Sequence, residues 1–319
     1  MKEANSTEQE LAAIILAGGE GARLRSLTAM ISGTPAPKQF CSIMGEATLL
    51  EQTLGWVSSS IRSSRMITVL TATHKRFYRS LVHGISRECL AIQPNNRGTA
   101  PAILYGLLKI AAIAPSAMVS LFPSDHYVSD DLEFMRYVTV AARAAEQYPS
   151  AIVLLGVVPN GPEPGYGWIE PGQMLSCNHS VPLYSVRRFW EKPGPELAEQ
   201  LYQARCFWNL FVIVARVQSL IEMFKRTMPA IYRAFDAVAL SLNTKFEKRS
   251  IAQLYQSLQF SDFSRDVLAK SLLNLAVLPV TGVQWCDLGE PHRVVATLSQ
   301  LGLAPSWLPS GIRRKVSNG

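Results

Sequence analysis

Short apolar runs alternate along the chain with longer segments in which apolar and polar positions mix. The apolar runs at residues 12–16, 66–70, 117–122, 151–158 and 275–280 have the length of buried strands. Between them, apolar residues recur every three or four positions, as on one face of a helix. This alternation predicts parallel strands with helices on both faces of a sheet, and ligand sites beyond the carboxyl ends of the strands.

Several segments carry signals for the start of a helix. Thr48 and Glu51 have the spacing of a capping box. Thr99 precedes an apolar helix and is expected to be its N-cap. Asp130 and Asp131 stand where a helix running to residue 146 should begin, because acidic residues favour that end. A further helix is predicted from about residue 75 to residue 83.

Composition narrows the class of protein. The chain has 319 residues, 48% apolar and 17% charged, and contains no run of about 18 uninterrupted apolar residues, so we predict no membrane span. Its first ten residues lack the features of a signal peptide, and we expect a cytoplasmic protein with a flexible N-terminus over 1–10. The net charge is +7, but the basic residues are scattered without interleaved aromatics, so nucleic acid is not an expected partner.

The cysteines give no sign of a metal site or a disulfide framework. The five lie far apart and form no Cys-x-x-Cys pair, which argues against zinc. We therefore expect free and mostly buried thiols at Cys41, Cys89, Cys177, Cys206 and Cys286.

The first predicted strand runs directly into a glycine-rich turn. Three glycines, Gly18, Gly19 and Gly21, fall within four positions, so backbone N–H groups can approach a bulky anion. Arg23 and Lys38 can add positive charge at the same place. A dinucleotide fingerprint would need glycine where Leu24 stands, and the Gly-Lys-Ser/Thr of a P-loop is absent. The turn predicts a triphosphate site of another type.

A candidate metal ligand follows the strand at 117–122. Asp125 lies just beyond the end of that strand, in Pro123-Ser124-Asp125-His126. A carboxylate at a strand's carboxyl end, beside a phosphate loop, is well placed to hold Mg²⁺ against phosphate oxygens.

The segments Leu-Ala-Gly-Gly-x-Gly-x-Arg-Leu at 16–24 and Pro-Lys-Gln-Phe at 37–40 together resemble the opening of the sugar-1-phosphate nucleotidyltransferases. The similarity is greatest to the mannose-1-phosphate guanylyltransferases. Later segments keep the family order, with Pro-x-Asp-His at 123–126, Gly-Tyr-Gly at 165–167, Glu-Lys-Pro at 191–193, Trp-Asn at 208–209 and Trp-x-Asp-Leu-Gly at 285–289. The resemblance covers nearly the whole chain, from about 11 to 301.

This resemblance implies a Rossmann-like, three-layer α/β/α fold of the GT-A-like type with a mixed central sheet. The domain would span 11–302, followed by a basic tail over 303–319. The implied reaction joins a nucleoside triphosphate, with GTP favoured, to a sugar 1-phosphate, with mannose 1-phosphate favoured. The oligomeric state stays open, with a homodimer among the options.

The resemblance also implies roles for individual residues. Catalytic roles fall to Arg23, Lys38, Asp125 and Lys192, and Mg²⁺ would be held by Asp125 and Asp287. Sugar binding falls to Gly167, Glu191, Lys192 and Asn209. Nucleotide binding falls to Leu16, Ala17, Gly18, Gly19, Gly21, Gln93, Arg97, Gly98 and Thr99.

Five positions depart from the family pattern. Gln93 replaces a glutamate, Gly98 an asparagine, and Ala269 a glutamate, while Leu210 and Phe211 replace Ser-Gly. A carboxylate can accept both donors on the pairing edge of guanine, whereas an amide offers one acceptor and one donor group. These departures leave the base and the sugar open. They also keep open a non-catalytic NDP-sugar-binding regulator. A glycosyltransferase is a second alternative, because it can share the sheet and the metal aspartate, although this chain has no Asp-x-Asp motif near Asp125.

Overall fold

The computed structural model of the chain describes residues 11–178 and 181–308. The predicted flexible segment 1–10 and the last eleven residues of the predicted tail lie outside the described residues. Residues 303–308 do not extend away as a tail. Leu308 is buried in the same apolar cluster as Leu24 and Leu298, so the packed region continues past residue 302.

Strands and helices alternate through most of the described chain. The strands are β1 (Leu11–Leu16), β2 (Met66–Thr71), β3 (Leu90–Gln93), β4 (Met118–Pro123), β5 (Tyr127–Val128), β6 (Ile152–Val157), β7 (Gly167–Asn178), β8 (Val181–Glu191), β9 (Phe207–Arg216), β10 (Leu275–Val280) and β11 (Trp285–Cys286). The helices are α1 (Arg25–Ser32), α2 (Leu49–Ser58), α3 (Lys75–Tyr78), α4 (Thr99–Ile113), α5 (Asp131–Gln147), α6 (Pro195–Gln203), α7 (Val217–Thr227), α8 (Pro229–Asp236), α9 (Glu247–Ser257) and α10 (Pro291–Gln300). Among these described helices, none has the length and apolar character needed to cross a bilayer.

The main sheet is mixed, as predicted. Its order is β3-β2-β1-β4-β9-β6-β10-β8-β7. Strands β1, β2, β3 and β4 are mutually parallel, whereas β9 runs antiparallel to both β4 and β6. The pairing of Leu16 with Pro123 places the glycine-rich turn after β1 beside the segment that carries Asp125.

Two apolar layers cover the sheet, because successive strand residues point to opposite faces. In β1, Ala12 and Ile14 pack with residues of α4, α7, α8 and α9. Ala13 and Ile15 pack with residues of α2 and α5 on the other face. The predicted three-layer α/β/α architecture is confirmed.

Two of the predicted helix starts are confirmed. The amide of Glu51 donates to Thr48 Oγ1 (3.2 Å) while the amide of Thr48 donates to Glu51 Oε2 (2.8 Å). Asp130 caps α5 by accepting from the amide of Glu133 at 2.8 Å.

Helix α3 is shorter than the predicted 75–83. It ends at Tyr78, and the bonds from His83 N to Ser80 O and from Ile85 N to Val82 O then span only three residues. The chain therefore continues as turns and reaches Gly84 at φ 92°.

A buried ion pair links α4 to α9. Lys109 Nζ contacts both carboxylate oxygens of Glu247, at 2.8 and 3.2 Å, and Lys109 is fully buried. Tyr105 Oη and the amide of Asn243 also donate to this carboxylate. Burial, followed by the bond to Glu247, raises the pKa of Tyr105 and keeps it a neutral donor.

Replacing Lys109 with methionine should destabilise the fold strongly, because Glu247 would stay buried without its cation. We expect the free energy of unfolding to fall by about 3–5 kcal/mol. The matched control is Lys225→Met, which removes an exposed pair with Glu222 and should cost at most about 1 kcal/mol. Urea denaturation followed by circular dichroism measures both, and equal losses would show that the buried pair has no special role.

Candidate active site

A cleft of about 430 Å³ opens beyond the carboxyl ends of β1, β2 and β4. It collects most of the residues that the sequence assigned to a site, although they lie up to 271 positions apart, from Leu16 to Asp287. Those that line it are Leu16, Gly18, Gly19, Gly21, Arg23, Lys38, Gln93, Gly98, Thr99, Asp125, Gly167, Glu191, Lys192, Asn209 and Asp287.

Ala17 and Arg97 are not part of the cleft wall. Ala17 is fully buried, and its carbonyl accepts from Gln39 Nε2 at 3.0 Å. Arg97 contributes its backbone carbonyl to the amide of Ser261 at 3.0 Å.

The glycine-rich turn is held by hydrogen bonds to its carbonyls. Gln39 Nε2 donates to the carbonyls of Ala17 and Gly19, and Thr71 Oγ1 donates to that of Gly18 at 3.0 Å. Gly21 lies at φ 57°, and a Cβ there would sit 2.8 Å from the amide nitrogen of Lys38. The turn is thus fixed before any ligand arrives. Sequence reasoning gave Gln39 no role, although it belongs to the Pro-Lys-Gln-Phe segment.

Lys38 joins the two aspartate segments. Its buried Nζ lies 3.3 Å from Asp125 Oδ2 and donates to the backbone carbonyl of Asp287 at 2.5 Å. Beside it, β5 and β11 pair so that Tyr127 faces Cys286, which places the residues just before β5 next to those just after β11. Both aspartates therefore face the cleft from one corner.

The Asp287 carboxylate is oriented by two donors. Its Oδ1 accepts from the amide of Gly289 at 2.8 Å and from Arg293 Nη1 at 2.7 Å. Burial alone would raise the pKa of Asp287, but Lys38 and Arg293 outweigh it and lower the pKa, so the carboxylate is ionised at neutral pH.

The donor set of this corner fits Mg²⁺. Among the described residues no group of three or more His, Cys, Asp or Glu could enclose a metal. Magnesium is commonly held by one or two carboxylates together with substrate phosphates, and Asp125 and Asp287 supply two. His126 beside them accepts from Trp285 Nε1 at 3.3 Å, and burial lowers the pKa of His126, so its imidazole is neutral.

Arg293 is a residue that sequence reasoning missed. It bridges Asp287 to Glu163 Oε1 (3.1 Å) and lies over the ring of Tyr166, 4.4 Å from the ring centroid. A Cβ on Gly165 would come within 2.3 Å of Arg293 Nη2, so the glycine allows this approach. The arginine ties the second aspartate to the loop that begins the Gly-Tyr-Gly segment.

Arg23 lies at the mouth of the cleft. Its side chain is half exposed, and Nη1 is 2.6 Å from Glu290 Oε1, just before α10. The guanidinium is thus oriented on the wall of the cleft beside the glycine-rich turn.

A second corner of the cleft contains Glu191, Gly167 and Asn209. Gly167 pairs with Glu191 across β7 and β8, and a Cβ on Gly167 would lie 3.1 Å from Glu191 Oε2 and 3.2 Å from Asn209 Cβ. Lys192 has φ 51° and places Nζ 3.4 Å from Glu191 Oε1. Burial raises the pKa of Glu191, with Lys192 opposing the rise.

Gln93 is buried and bound to α9. Tyr255 Oη donates to Gln93 Oε1 at 3.0 Å, and Gln93 Nε2 lies so close to Gly18 that a Cβ there would sit 2.6 Å away. The amide oxygen is engaged by the protein, and the amide nitrogen lies beside the glycine-rich turn. No sequence signal marked Tyr255.

Thr99 is the first residue of α4, and its N-cap is Gly98, which corrects the expectation that Thr99 would cap the helix. The Thr99 hydroxyl is turned to another segment, where it accepts from the amide of Phe263 at 2.8 Å and donates to Asp262 Oδ2 at 3.3 Å. Gly98 has φ 91°, and a Cβ there would lie 2.1 Å from the carbonyl oxygen of Ser261. Glycine replaces asparagine here because the segment at 261 fills the space.

The segment that begins at Phe260 forms a wall of the cleft, although the sequence analysis assigned no site residue to it. Phe260, Asp262 and Ser264 line the cleft. Ala269, which stands where the family pattern has glutamate, is not among the lining residues.

The family described as nucleotidyl transferase matches residues 12–301. Xanthan biosynthesis protein XanB of Xanthomonas campestris pv. campestris (strain B100) is 32% identical over 222 residues, covering 68% of this chain and 44% of that protein. The mannose-1-phosphate guanylyltransferase of Salmonella montevideo is 29% identical over 282 residues, covering 87% of this chain and 58% of that protein. The chain spans about half the length of these relatives.

Solved structures share the fold. A Thermus thermophilus protein whose structure is titled mannose-1-phosphate geranyltransferase has a TM-score of 0.74 and 26% identity, covering 88% of this chain and 76% of that chain. A putative glucose-1-phosphate thymidylyltransferase from Bacillus anthracis has a TM-score of 0.56 and 14% identity, covering 91% and 94%. The second likeness concerns the fold alone.

Replacing Gly98 with alanine should cost more stability than the same change at Gly84. Both glycines have nearly the same φ, 91° and 92°, but nothing lies within 4 Å of a Cβ on Gly84. We expect Gly98→Ala to lower the free energy of unfolding by about 1–3 kcal/mol more, because it also overpacks against Ser261. Urea denaturation measures the difference, and equal losses would contradict this packing.

Proposed function

The chain belongs to the nucleotidyl transferase family, and we propose that it transfers a nucleotidyl group from a nucleoside triphosphate to a sugar 1-phosphate. The products are an NDP-sugar and pyrophosphate. The observation that supports this most strongly is the pair Asp125 and Asp287, joined through Lys38 beside a fixed glycine-rich turn. That arrangement suits the positioning of phosphates at one wall of a cleft.

In the proposed reaction an oxygen of the sugar phosphate attacks the α-phosphorus, and the bond to the pyrophosphate oxygen breaks in line. Phosphoryl transfer of this kind depends on positioning and charge neutralisation more than on covalent chemistry. The glycine-rich turn would hold the triphosphate, with Arg23 and Lys38 offsetting its charge. Lys192 would orient the attacking phosphate, while Glu191 and Asn209 bind sugar hydroxyls.

Asp125 and Asp287 would hold Mg²⁺ in this reaction. When bound, the ion offsets the charge that develops on the reacting phosphates. Lys38 keeps the two carboxylate segments in register, and Arg293 occupies Oδ1 of Asp287 so that the carboxylate keeps one orientation.

GTP and mannose 1-phosphate are the substrates that we favour, because relatives of this chain carry the name mannose-1-phosphate guanylyltransferase. A nucleoside triphosphate substrate also fits the cytoplasmic location expected from the sequence. Gln93 would contact the base through its amide NH₂ group, because its oxygen is held by Tyr255.

Pyrophosphate release with Mg²⁺ tests the proposal. GTP, ATP, UTP, CTP and dTTP are each combined with the 1-phosphates of mannose, glucose and N-acetylglucosamine. Release with GTP and mannose 1-phosphate would support the favoured pair, and release with another pair would keep the reaction and change the substrates. No release from any pair, with NDP-sugars still bound, would favour the regulator. Consumption of an NDP-sugar without pyrophosphate would indicate a glycosyltransferase.

Replacing Asp125 with asparagine should lower kcat/KM at least ~100-fold, because a neutral amide cannot serve as the anionic metal ligand. The melting temperature should change little, since Lys38 keeps its two backbone carbonyl partners. Asp131→Asn, an exposed aspartate in the first turn of α5, is the matched control and should retain activity. Full activity of the Asp125 variant would remove Asp125 from the metal site.

Replacing Arg23 with alanine should lower kcat at least ~100-fold, the scale on which one preorganised charge donor acts. The control is Arg25→Ala, which removes an exposed arginine paired with Glu20 outside the cleft wall. Steady-state pyrophosphate release gives both values. Similar small losses would assign Arg23 to a structural pair with Glu290.

A further inference from the structure

Strand β9 carries an irregularity where it enters the cleft. Its residue Ile213 pairs with Leu154 of β6, but Asn209 pairs with Gly156, so three residues of β9 stand opposite one residue of β6. Phe211 lies in the middle of this bulge with φ 58°. Bulges next to functional sites re-aim side chains, and a bulky residue at positive φ is strained.

The bulge sends neighbouring side chains to different places. Leu210 is fully buried in the apolar layer on the α2 and α5 side. Phe211 instead lines the cleft and packs edge to face on Phe263, with 6.4 Å between ring centroids. The strained backbone therefore places an aromatic side chain in the cleft wall, where the family pattern quoted above has glycine.

Phe211 also orients Asn209, which lies two residues before it and beside Gly167. The amide of Phe211 donates to Asn209 Oδ1 at 3.1 Å. With that oxygen engaged, the side-chain NH₂ group of Asn209 is the part that remains for a ligand hydroxyl. Asn209 lies beside Gly167 and Glu191, and Phe211 follows two residues later on the same strand and lines the same cleft.

We propose that Phe211 determines which sugar the cleft accepts, and the proposal rests on the proposed function. The ring closes the space that a glycine would leave open and offers an apolar face to the C–H groups of a pyranose ring. The acceptor is therefore a hexose 1-phosphate with hydroxyl substituents, and an N-acetylhexosamine 1-phosphate is rejected because its acetamido group needs that space. A strained residue at a ligand cleft points to such a function.

The test compares mannose and glucose 1-phosphates with N-acetylglucosamine 1-phosphate in the wild type, Phe211→Gly and Phe211→Leu. Glycine suits φ 58°, so the variant should fold, and its melting curve checks this. We expect Phe211→Gly to raise kcat/KM for N-acetylglucosamine 1-phosphate at least ~10-fold relative to the better hexose 1-phosphate, the scale on which pocket shape discriminates. Phe211→Leu keeps most of the bulk and should keep the preference. KM for the nucleoside triphosphate should stay within about twofold in both variants.

Arg205→Gly is the matched control. Arg205 also has a positive φ, 55°, but it is exposed in the turn after α6 and does not line the cleft. This variant relieves the same kind of backbone strain and should leave the ratio of sugar preferences unchanged. An equal shift in both glycine variants would show that backbone relief, rather than the ring, sets the preference.

Calorimetric binding of NDP-sugars separates this proposal from the proposed reaction. If the wild type releases no pyrophosphate from any pair, the reaction is overturned, but the ratio of Kd values for NDP-hexose and NDP-N-acetylhexosamine still tests Phe211. The proposal is overturned if the wild type handles both sugar classes equally. It is also overturned if Phe211→Gly leaves the ratio unchanged.

Discussion

The buried ammonium group of Lys38 is the interaction on which the site depends. It draws its three oxygen partners from Asp125, Asp287 and Leu288, which reach this point on two separate segments of the chain. An ammonium group has three N–H donors and can satisfy several oxygens at once. Its charge also stabilises the ionised carboxylate of Asp287, whose pKa burial alone would raise. Because Gln39, the next residue, holds the glycine-rich turn, one short segment sets the position of both the turn and the aspartates.

The turn after Asp287 is strained, and apolar packing holds it. Leu288 has φ 47°, a conformation that costs a non-glycine residue about 1–2 kcal/mol. Its side chain is fully buried with Leu24, Val294 and Leu298, and burial of a leucine contributes about 1.5–3 kcal/mol. The packing of α10 against the start of α1 therefore offsets the strain. The C-terminal helix supports the site even though the proposed chemistry takes no group from its apolar face.

The features that were predicted well from the sequence are those that depend on residues close together along the chain. The apolar run of β1, the three glycines after it and the capping box at Thr48 each depend on residues a few positions apart. The aspartates were predicted from their place after strands and from family order, and the structure brings both to one corner. Gln39, Arg293 and Tyr255 could not be assigned, because their contacts depend on the fold. Gln39 acts through backbone carbonyls, and Tyr255 acts through Gln93, 162 residues away. Arg293 joins Asp287, six residues before it, to Glu163, 130 residues away. Thr99 was misread as an N-cap because its hydroxyl has a competing partner at Phe263, which only the fold brings near.

Three of the five departures from the family pattern, Gln93, Gly98 and Phe211, line the cleft away from its charged corner, whereas Leu210 and Ala269 do not line it. Gly98 is explained by the Ser261 carbonyl packed against it, and Gln93 by its bond to Tyr255 on α9. Tyr255 contacts Gln93 and Ser261 contacts Gly98, and both lie in the segment from 247 to 264. The two departures therefore adapt the same wall of the cleft to the same segment. Lys38, Asp125 and Asp287 keep a mutual geometry that does not involve that wall. A protein that only bound NDP-sugars would have no need for this charged arrangement, because in the proposed function the base and the sugar are recognised at the walls. Because the departures lie apart from the charged corner, we favour an enzyme with altered selectivity for base or sugar over a protein that has lost catalysis.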